Sequence, residues 1–242
     1  MTTLVQAVDH VFAAQKKSKK PLAIILAGHN GSGKSTMWYD RLANVFQIPL
    51  INADRMMMSI LPEVGKDEVL PTWASELRDK NQGWMRVAQD GVQAFVVQAL
   101  ANKVPFATET VFSHWKDLGK GKFESKIDRI VEMQKAGYFV ILFFVGLTDS
   151  QLSIGRVSTR VAKGGHDVPL KKLTDRFPRT QKAVGAATFV ADATILVDNS
   201  RDESMAFSVC RIQMQKQEVY DVRAGTKVPA AIQQWLNIVS PR

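Results

Sequence analysis

A short glycine-rich segment near the N-terminus has the residue types and spacing of a phosphate-binding loop. Residues 28–35 read G-H-N-G-S-G-K-S, a full match to the pattern G-x-x-x-x-G-K-[S/T]. In such a loop the glycines, here Gly28, Gly31 and Gly33, take positive φ and let backbone N–H groups approach an anion. Lys34 is expected to reach the β- and γ-phosphates, and the Ser35 hydroxyl to ligate Mg²⁺. The residues expected to bind a nucleoside triphosphate are Gly28, Asn30, Gly31, Ser32, Gly33, Lys34, Ser35 and Thr36.

The residues on both sides of the loop favour this interpretation over a glycine-rich surface turn. An apolar run over 22–27 predicts a buried strand that leads directly into the loop, and residues 34–45 are compatible with a helix. A strand, a glycine loop and a helix in this order point the backbone N–H groups of the helix N-terminus at a phosphate.

Two acidic residues follow later predicted strands, at the edge where parallel sheets bind ligands. Asp54 follows the run 49–53, and we predict that it accepts a proton from a substrate hydroxyl as phosphoryl transfer begins. An aspartate at this position could instead cap the next helix, and the two roles are compatible. Glu109 lies in the run 106–110, where we expect it to position the metal or the substrate. A structural ion pair is the alternative for this glutamate.

A basic segment over 150–169 carries arginines that suit a lid above a triphosphate. Arg156 and Arg160 are four residues apart on a predicted helix and therefore share one face. Arginine suits this role because its planar fork matches phosphate oxygens and it stays charged. The helix is expected to stop at the glycines 164–165, and the alternative interpretation is a solvated basic face with a glycine stop. Neighbouring residues that we expect to extend the cluster or to line the substrate pocket are Lys163, His166, Arg176 and Arg179.

These residues need a scaffold of alternating strands and helices, and the sequence predicts one. Apolar strand candidates lie at 22–27, 49–53, 106–110, 139–145 and 194–197. Helices are predicted over 2–15, 34–45, 81–102, 122–135 and 150–163. Because the strands are apolar throughout and alternate with helices, the predicted fold class is α/β, a P-loop three-layer fold with a mainly parallel central sheet.

The two ends of the chain are expected to add to this scaffold. Residues 1–20 are predicted to form an amphipathic helix and a basic linker, and 21–242 a single P-loop domain with its lid at about 150–180. Residues 208–222 alternate in part, which predicts one or two late edge strands. Residues 229–239 predict a closing helix with a proline at its start.

Composition and charge set the outer limits of the interpretation. The chain has 242 residues, of which 45% are hydrophobic, and we expect neither a membrane span nor a secretory signal. Cys210 is its one cysteine, which excludes an internal disulfide and favours a reducing cytoplasm. The net charge of +9 fits polyphosphate ligands, nucleic acid or an acidic protein partner, and does not choose among them.

Taken together, the motifs resemble those of the zeta-toxin-like kinases. The segments that carry the resemblance are G-H-N-G-S-G-K-S-T at the phosphate loop, I-N-A-D-R, T-E-T and, above all, R-V-S-T-R-V-A-K-G-G-H-D-V-P. The triplet D-N-S at 198–200 is similar to the nucleotide-base loop of that family, which adds Asn199 to the expected nucleotide contacts. The resemblance covers roughly residues 22–200. The two arginines stand closer together here than in the well-studied toxins, and G-G-H-D-V-P resembles the shorter, chromosomally encoded relatives.

The resemblance implies a kinase that uses ATP and Mg²⁺. The best-known members are toxins of bacterial toxin–antitoxin pairs, and they phosphorylate a hydroxyl of UDP-N-acetylglucosamine. An acidic antitoxin is then the expected protein partner. Carried over by position, the resemblance implies a phosphate lysine, a magnesium ligand, a proton acceptor, an acid of the third strand and two lid arginines, which are Lys34, Ser35, Asp54, Glu109, Arg156 and Arg160. Substrate contacts are expected from Asp54, Arg55, Glu109, His166 and Arg176.

Two other functions stay open at this point. A polynucleotide kinase would share the loop and the basic balance, but the sequence offers no aromatic and basic run on which bases would stack. A catalytically silent nucleotide-binding module would need neither the two acids nor the lid arginines. The sequence lacks an N-K-x-D element and a tandem acidic pair at the end of an apolar strand, which argues against a GTPase and a mechanical ATPase.

Overall fold

A seven-stranded sheet lies at the centre of the molecule. The computed structural model describes residues 2–65, 69–120, 122–225 and 227–241. The strands in these ranges are β1 (Leu22–Gly28), β2 (Leu50–Ile51), β3 (Phe106–Thr110), β4 (Trp115–Gly119), β5 (Lys122–Ser125), β6 (Phe139–Gly146), β7 (Ala193–Asp198), β8 (Ser208–Met214) and β9 (Gln217–Asp221). The order in the sheet is β2-β3-β1-β6-β7-β8-β9, and β4 pairs with β5 as a separate hairpin.

The strand directions give the sheet a parallel body and an antiparallel edge. The first five strands of this order, β2, β3, β1, β6 and β7, pair in parallel. Strands β8 and β9 continue the sheet in antiparallel pairs. Strand β1 lies between β3 and β6, so the loop that follows it opens at the carboxyl edge of the sheet, where ligands of such folds bind. The predicted α/β fold with a mainly parallel sheet and late edge strands is confirmed.

Helices cover both faces of this sheet. They are α1 (Leu4–Ser18), α2 (Lys34–Met37), α3 (Ala43–Phe46), α4 (Ala53–Met58), α5 (Thr72–Lys80), α6 (Gln82–Asn102), α7 (Ile127–Lys135), α8 (Ser150–Ala162), α9 (Leu170–Ala187) and α10 (Ala230–Val239). A π-helical turn, Trp38–Leu42, joins α2 to α3. Every residue of β1 and β6 is buried, because apolar side chains on both faces of the sheet pack into two helix-covered cores. Within the described ranges, none of the helices combines the length and the hydrophobicity that spanning a bilayer requires.

The structure differs from the sequence prediction in several places. The helix predicted over 122–135 is wrong in its first part, because Lys122–Ser125 is a strand and α7 begins only at Ile127. Trp115 stacks on Phe123 across this hairpin with ring centroids 4.2 Å apart, which stabilises the two strands. Strand β2 is shorter than the predicted 49–53. Helices α5 and α9 were not predicted from the sequence. The other predicted elements agree with the structure to within three residues at each end.

One polar residue of the phosphate loop, His29, is part of the core. Its ring stacks on Phe177 with centroids 4.0 Å apart and contacts Phe144 edge-on at 5.4 Å. Its Nδ1 accepts a hydrogen bond of 3.3 Å from the backbone N–H of Leu147, which ties the loop to the end of β6. Burial, together with the charge of Lys34, lowers the pKa of His29 to about 3. The imidazole is therefore neutral in the folded protein near neutral pH.

We expect His29 to make the stability of the protein sensitive to mild acid. An unfolded histidine takes up a proton near pH 6.5, whereas the folded His29 does so only near pH 3. Between these values the unfolded state binds more protons, so the free energy of unfolding falls as the pH drops below 6.5. The variant His29→Asn offers an amide oxygen to the N–H of Leu147 but has no group that titrates. Between about pH 6.5 and pH 4.5 the wild type should lose roughly 2 kcal/mol more stability than this variant. Denaturant unfolding at both pH values measures this difference, and equal losses would contradict the assignment.

Candidate active site

A cavity of about 890 Å³ opens at the carboxyl ends of β1 and β3. It brings together residues from the loop, from the ends of β3 and β2, and from the lid helix α8. The sequence-predicted site residues that line it are Asn30, Gly31, Gly33, Lys34, Ser35, Thr36, Asp54, Arg55, Glu109, Arg156, Arg160, His166 and Arg176. Residues that are distant in sequence therefore share one cavity, as expected for side chains at the exits of parallel strands.

The glycines of the loop serve two different needs. Gly31 and Gly33 have φ values of 69° and 91°, a conformation that L side chains rarely adopt. The predicted positive φ is wrong for Gly28, which ends β1 in extended backbone. A Cβ on Gly28 would lie 2.6 Å from the carbonyl oxygen of Val145 and 2.6 Å from Ser32 Oγ. Gly28 is therefore required for close packing of the loop against β6.

Three residues predicted to contact the nucleotide, namely Gly28, Ser32 and Asn199, are not among the described residues that line the cavity. Asn199 follows β7 and donates from Nδ2 to the carbonyl oxygen of Ser32 at 2.9 Å. Gly33 leaves the space for this contact, since a Cβ there would lie 2.7 Å from Asn199 Nδ2. Asn199 thus supports the shape of the loop, and its contact with a nucleotide base stays a prediction.

Lys34 is a buried cation at the base of the cavity. Its Nζ donates to the carbonyl oxygens of Gly28 and His29 at 3.1 and 3.0 Å, and it lies 3.9 Å from Glu109 Oε1. Burial lowers the pKa of Lys34, while the carboxylates of Glu109 and Asp54 act in the opposite direction. Both acids are therefore close enough to Lys34 to interact with its charge.

Glu109 connects the loop, β3 and α4. Its carboxylate accepts hydrogen bonds from Ser35 Oγ at 3.2 and 3.3 Å and from Asn52 Nδ2 at 2.7 Å. Asn52 is the cap of α4, because its Oδ1 accepts from the backbone N–H groups of Asp54 at 2.8 Å and Arg55 at 3.2 Å. The capping interpretation of Asp54 is therefore wrong. Sequence reasoning missed Asn52, although asparagine just before a helix is itself a capping signal.

Asp54 lies in the first turn of α4 rather than at the end of β2, and its side chain lines the cavity. Because Asn52 satisfies the helix N-terminus, the carboxylate of Asp54 is not held in a capping bond. The next residue, Arg55, is fixed by a neighbour on the π-helical turn. Its guanidinium stands over the ring of Tyr39 at 4.9 Å and donates to the Tyr39 hydroxyl. This contact orients Arg55, which also lines the cavity.

Helix α8 packs directly on the phosphate loop. Ser153 Oγ donates to the carbonyl oxygen of Asn30 at 2.7 Å. A Cβ on Gly31 would lie 3.1 Å from the Cβ of Arg156, so the helix and the loop approach each other closely. This packing brings Arg156 to the cavity wall above the loop.

Arg160 lies one turn further along α8, beside the glycine turn. Its Nη2 donates to the carbonyl oxygen of His166 at 2.7 Å. A Cβ on Gly165 would lie 2.5 Å from Arg160 Cγ, so glycine is needed for the turn to fold back over the arginine. Burial is the main cause of the lowered pKa of Lys34, and the charge of Arg160 adds to it. Two cations from distant parts of the chain therefore face the same space.

Three cations line the part of the cavity next to α7 and α9, and sequence reasoning missed two of them. Lys126 and Arg129 stand here with Arg176, which was predicted. The ammonium of Lys126 donates to Thr110 Oγ1 at the end of β3. Burial lowers the pKa of Lys126 to about 8, and the charges of Arg176 and Arg129 add to the effect. Lys126 was missed because the prediction placed it inside a continuous helix over 122–135, whereas it lies at the junction between the hairpin and α7.

Apolar and amide side chains form the rest of this wall. Those contributed by α6, α7 and the segment after β3 are Gln89, Val92, Gln93, Val96, Phe112 and Met133. Lys163 and Arg179, which were predicted to extend the cationic cluster, are not among the described residues that line the cavity. Arg179 instead donates to the carbonyl oxygen of Asp175 at 2.9 Å along α9.

The residues present fit a nucleotide and a magnesium ion. The hydroxyl of Ser35 and the carboxylate of Glu109 supply oxygen atoms of the kind that Mg²⁺ prefers. In the part of the chain that the structure describes, no group of three or more His, Cys, Asp or Glu side chains could hold a metal ion. A site with so few protein ligands suits Mg²⁺, which usually keeps waters and substrate phosphates among its ligands.

Comparisons with known proteins identify the family and support the fold. The model of the zeta toxin family matches residues 8–209. One similar structure comes from the PezAT chromosomal toxin–antitoxin system of Streptococcus pneumoniae, with 13% identity, 98% of this chain and 88% of that chain covered, and a TM-score of 0.53. Another is the AvrRxo1-ORF1:AvrRxo1-ORF2 complex, with 12% identity, coverage of 99% and 71%, and a TM-score of 0.58. The same complex with ATP gives 12% identity, coverage of 99% and 70%, and a TM-score of 0.59.

At these identities the similar structures show the fold alone. No curated protein matches the sequence. The family model, in contrast, spans most of the chain, including the loop, both acids and the lid. The chain therefore belongs to the zeta toxin family, and this membership makes it an ATP-dependent kinase.

Proposed function

We propose that the protein transfers the γ-phosphoryl group of ATP to a hydroxyl of UDP-N-acetylglucosamine or of a related sugar nucleotide. One observation carries the proposal: Lys34, Asp54, Glu109, Arg156 and Arg160 line the same cavity as the phosphate loop. At about 890 Å³ the cavity is near the upper end of the range for small-molecule sites, which leaves room for a nucleotide and an acceptor together.

Charge neutralisation is the main catalytic contribution in this proposal. The triphosphate lies on the loop, where Lys34 and the backbone N–H groups of the first turn of α2 act as donors. Ser35 and Glu109 would hold Mg²⁺, and the ion would supply positive charge that offsets the charge of the triphosphate. Arg156 and Arg160 face this region from the lid and stabilise the charge of the transferring group.

Asp54 acts as the proton acceptor. The acceptor oxygen forms a bond to the γ-phosphorus while its O–H bond breaks, and the proton passes to the carboxylate of Asp54. The bond between the γ-phosphorus and the bridging oxygen breaks in the same transfer, and ADP leaves. This role is open to Asp54 because Asn52 provides the cap of α4.

The wall around α7 and α9 supports an anionic acceptor. Lys126, Arg129 and Arg176 place three positive charges there, beside the amide and apolar side chains of α6. The diphosphate of a sugar nucleotide complements the three cations, and its sugar and base complement the amides and the apolar surface. The resemblance of the motifs to the zeta-toxin-like kinases independently favours UDP-N-acetylglucosamine.

We also propose that an acidic antitoxin protein binds this chain, and that the pair acts in the cytoplasm. The structure with 88% of its chain covered belongs to a toxin–antitoxin system. The net charge of +9 favours an acidic partner. The buried free thiol of Cys210 suits a reducing compartment.

We expect Asp54→Asn to slow phosphoryl transfer far more than it weakens ATP binding. An amide cannot accept the proton, so kcat with UDP-N-acetylglucosamine should fall about 10²- to 10⁴-fold. The affinity for ATP, measured by calorimetry, should change by less than about threefold because Asp54 contacts the acceptor rather than the nucleotide. Lys34→Ala should abolish transfer. Asp40→Asn, which alters an exposed acid on the turn after α2, is the matched control and should behave as the wild type. Equal losses of kcat and ATP affinity in Asp54→Asn would rule out its role as the base.

We expect Lys126 to set the pH dependence of acceptor binding. Its pKa of about 8 means that it is charged at pH 7 and mostly neutral at pH 9, so the KM for UDP-N-acetylglucosamine should rise over this interval. Lys126→Met should raise the KM at pH 7 by about 10- to 100-fold, as loss of a charge-assisted contact does. Lys126→Arg stays charged and should give a KM that no longer changes with pH.

The matched control for Lys126 is Lys135→Met, which removes an exposed lysine at the C-terminal end of α7, the helix that Lys126 precedes. It should leave the KM and its pH dependence as in the wild type. A wild-type KM that is flat between pH 7 and 9 would contradict the proposed contact between Lys126 and the acceptor.

A further inference from the structure

Helix α5 contacts the turn that follows the lid helix through two adjacent charged residues. Arg78 donates from Nε and Nη2 to the two carboxylate oxygens of Asp79, each at 2.8 Å. The same guanidinium donates from Nη1 to the carbonyl oxygen of Gly164 at 2.9 Å and from Nη2 to that of Gly165 at 3.5 Å. Asp79 Oδ1 lies 2.7 Å from Nδ1 of His166. The pair therefore contacts three consecutive residues of the turn.

These contacts are largely shielded from solvent. Arg78 is 7% exposed, and the side chains of Asp79 and His166 are 21% and 25% exposed. Burial alone would raise the pKa of Asp79, but the hydrogen bonds from Arg78 and His166 outweigh it and the pKa is lowered. The hydrogen bond to Asp79 is the largest influence on Arg78 and raises its pKa. A bidentate, partly buried pair of this kind holds its geometry better than an exposed ion pair.

The same turn also contacts Arg160, through both its side chain and its backbone. The carbonyl oxygen of His166 accepts from Arg160 Nη2 at 2.7 Å, and the N–H of Gly165 donates to the carbonyl oxygen of Arg160 at 3.0 Å. The turn is thus fixed to α5 on one side and to the cavity cation on the other. Neither Arg78 nor Asp79 is among the described residues that line the cavity.

We propose that Arg78 and Asp79 are positioning residues for Arg160. They act through the turn 164–166 and hold the guanidinium of Arg160 where the transferring phosphoryl group passes, and the inference rests on the function proposed above. A free arginine side chain loses considerable rotamer entropy when it is fixed on a ligand. Fixing it beforehand removes that cost from the transition state.

Hydrogen exchange of the nucleotide-free protein tests the structural half of this inference. In Asp79→Ala and Arg78→Met, the amides of Gly164 and Gly165 should exchange about tenfold faster or more, because the bonds that hold the turn are lost. The matched control is Glu76→Gln on the same helix, whose exposed carboxylate pairs with Lys80 at 3.1 Å, and it should exchange as the wild type. Thermal unfolding checks that each variant is folded. Unchanged exchange of the turn in both test variants would overturn the proposal.

A transition-state analogue tests the functional half without an acceptor. The probe is ADP with Mg²⁺ and aluminium fluoride, in which the fluoroaluminate takes the place of the transferring group. Arg160→Ala should weaken binding of this probe by about 10- to 100-fold, while binding of ADP with Mg²⁺ alone changes less than about twofold. Asp79→Ala should weaken the probe to a similar degree. The double variant should bind no more weakly than Arg160→Ala alone, because both changes remove one contribution.

The binding cycle also separates this inference from the proposed acceptor. Losses that multiply in the double variant, or wild-type affinity in Asp79→Ala, would show that the pair does not act through Arg160. A wild-type protein that binds the probe but does not phosphorylate UDP-N-acetylglucosamine would refute the acceptor and leave the positioning role supported by the cycle. If aluminium fluoride adds no affinity even in the wild type, the positioning role fails, whereas phosphorylation of UDP-N-acetylglucosamine tests the acceptor separately.

Discussion

The hydrogen bonds to the carboxylate of Glu109 are the constraint on which the rest of the site depends. Glu109 lies in register with Leu26 of the central strand, so the end of β3 stands beside the phosphate loop. From there it accepts from Ser35 on the nucleotide side and from Asn52 on the other side. Because Asn52 caps α4, the same carboxylate determines where Asp54 stands. One acid at a strand exit thus links the proposed metal ligand to the proposed base.

The charge balance of the cavity explains why phosphates are its natural ligands. Cations from the loop, the lid and the wall around α7 and α9 outnumber the two acids that line it with them. Burial lowers the pKa of both Lys34 and Lys126, and the repulsion between neighbouring cations adds to this effect. A polyphosphate supplies the missing negative charge, and the protein provides donors that are already in place. The fold therefore carries an electrostatic strain that an anionic ligand relieves.

How far the sequence predicts this site depends on whether the signal is local. The loop, Asp54, Glu109 and the lid arginines follow from local patterns combined with the rule that ligands bind at strand exits. Lys126 was not predicted as a site residue because the hairpin that precedes it depends on a stacked aromatic pair, whereas the sequence of the second hairpin strand is compatible with a helix. Helix α9 was not predicted. It contains Pro178, and a proline within a segment usually indicates the end of a helix.

Other features depend on contacts across long sequence separations. The contacts of Arg78 and Asp79 with the lid turn join residues more than eighty positions apart, and no local sequence pattern predicts such a pairing.

A crystal structure with Mg²⁺, a non-hydrolysable ATP analogue and UDP-N-acetylglucosamine is the most direct measurement of the central claim. It should show Lys34 and Arg160 in contact with the γ-phosphate, and a hydroxyl of the acceptor about 2.6–3.2 Å from the carboxylate of Asp54. A γ-phosphate that neither cation contacts, or an acceptor with no hydroxyl near Asp54, would contradict it.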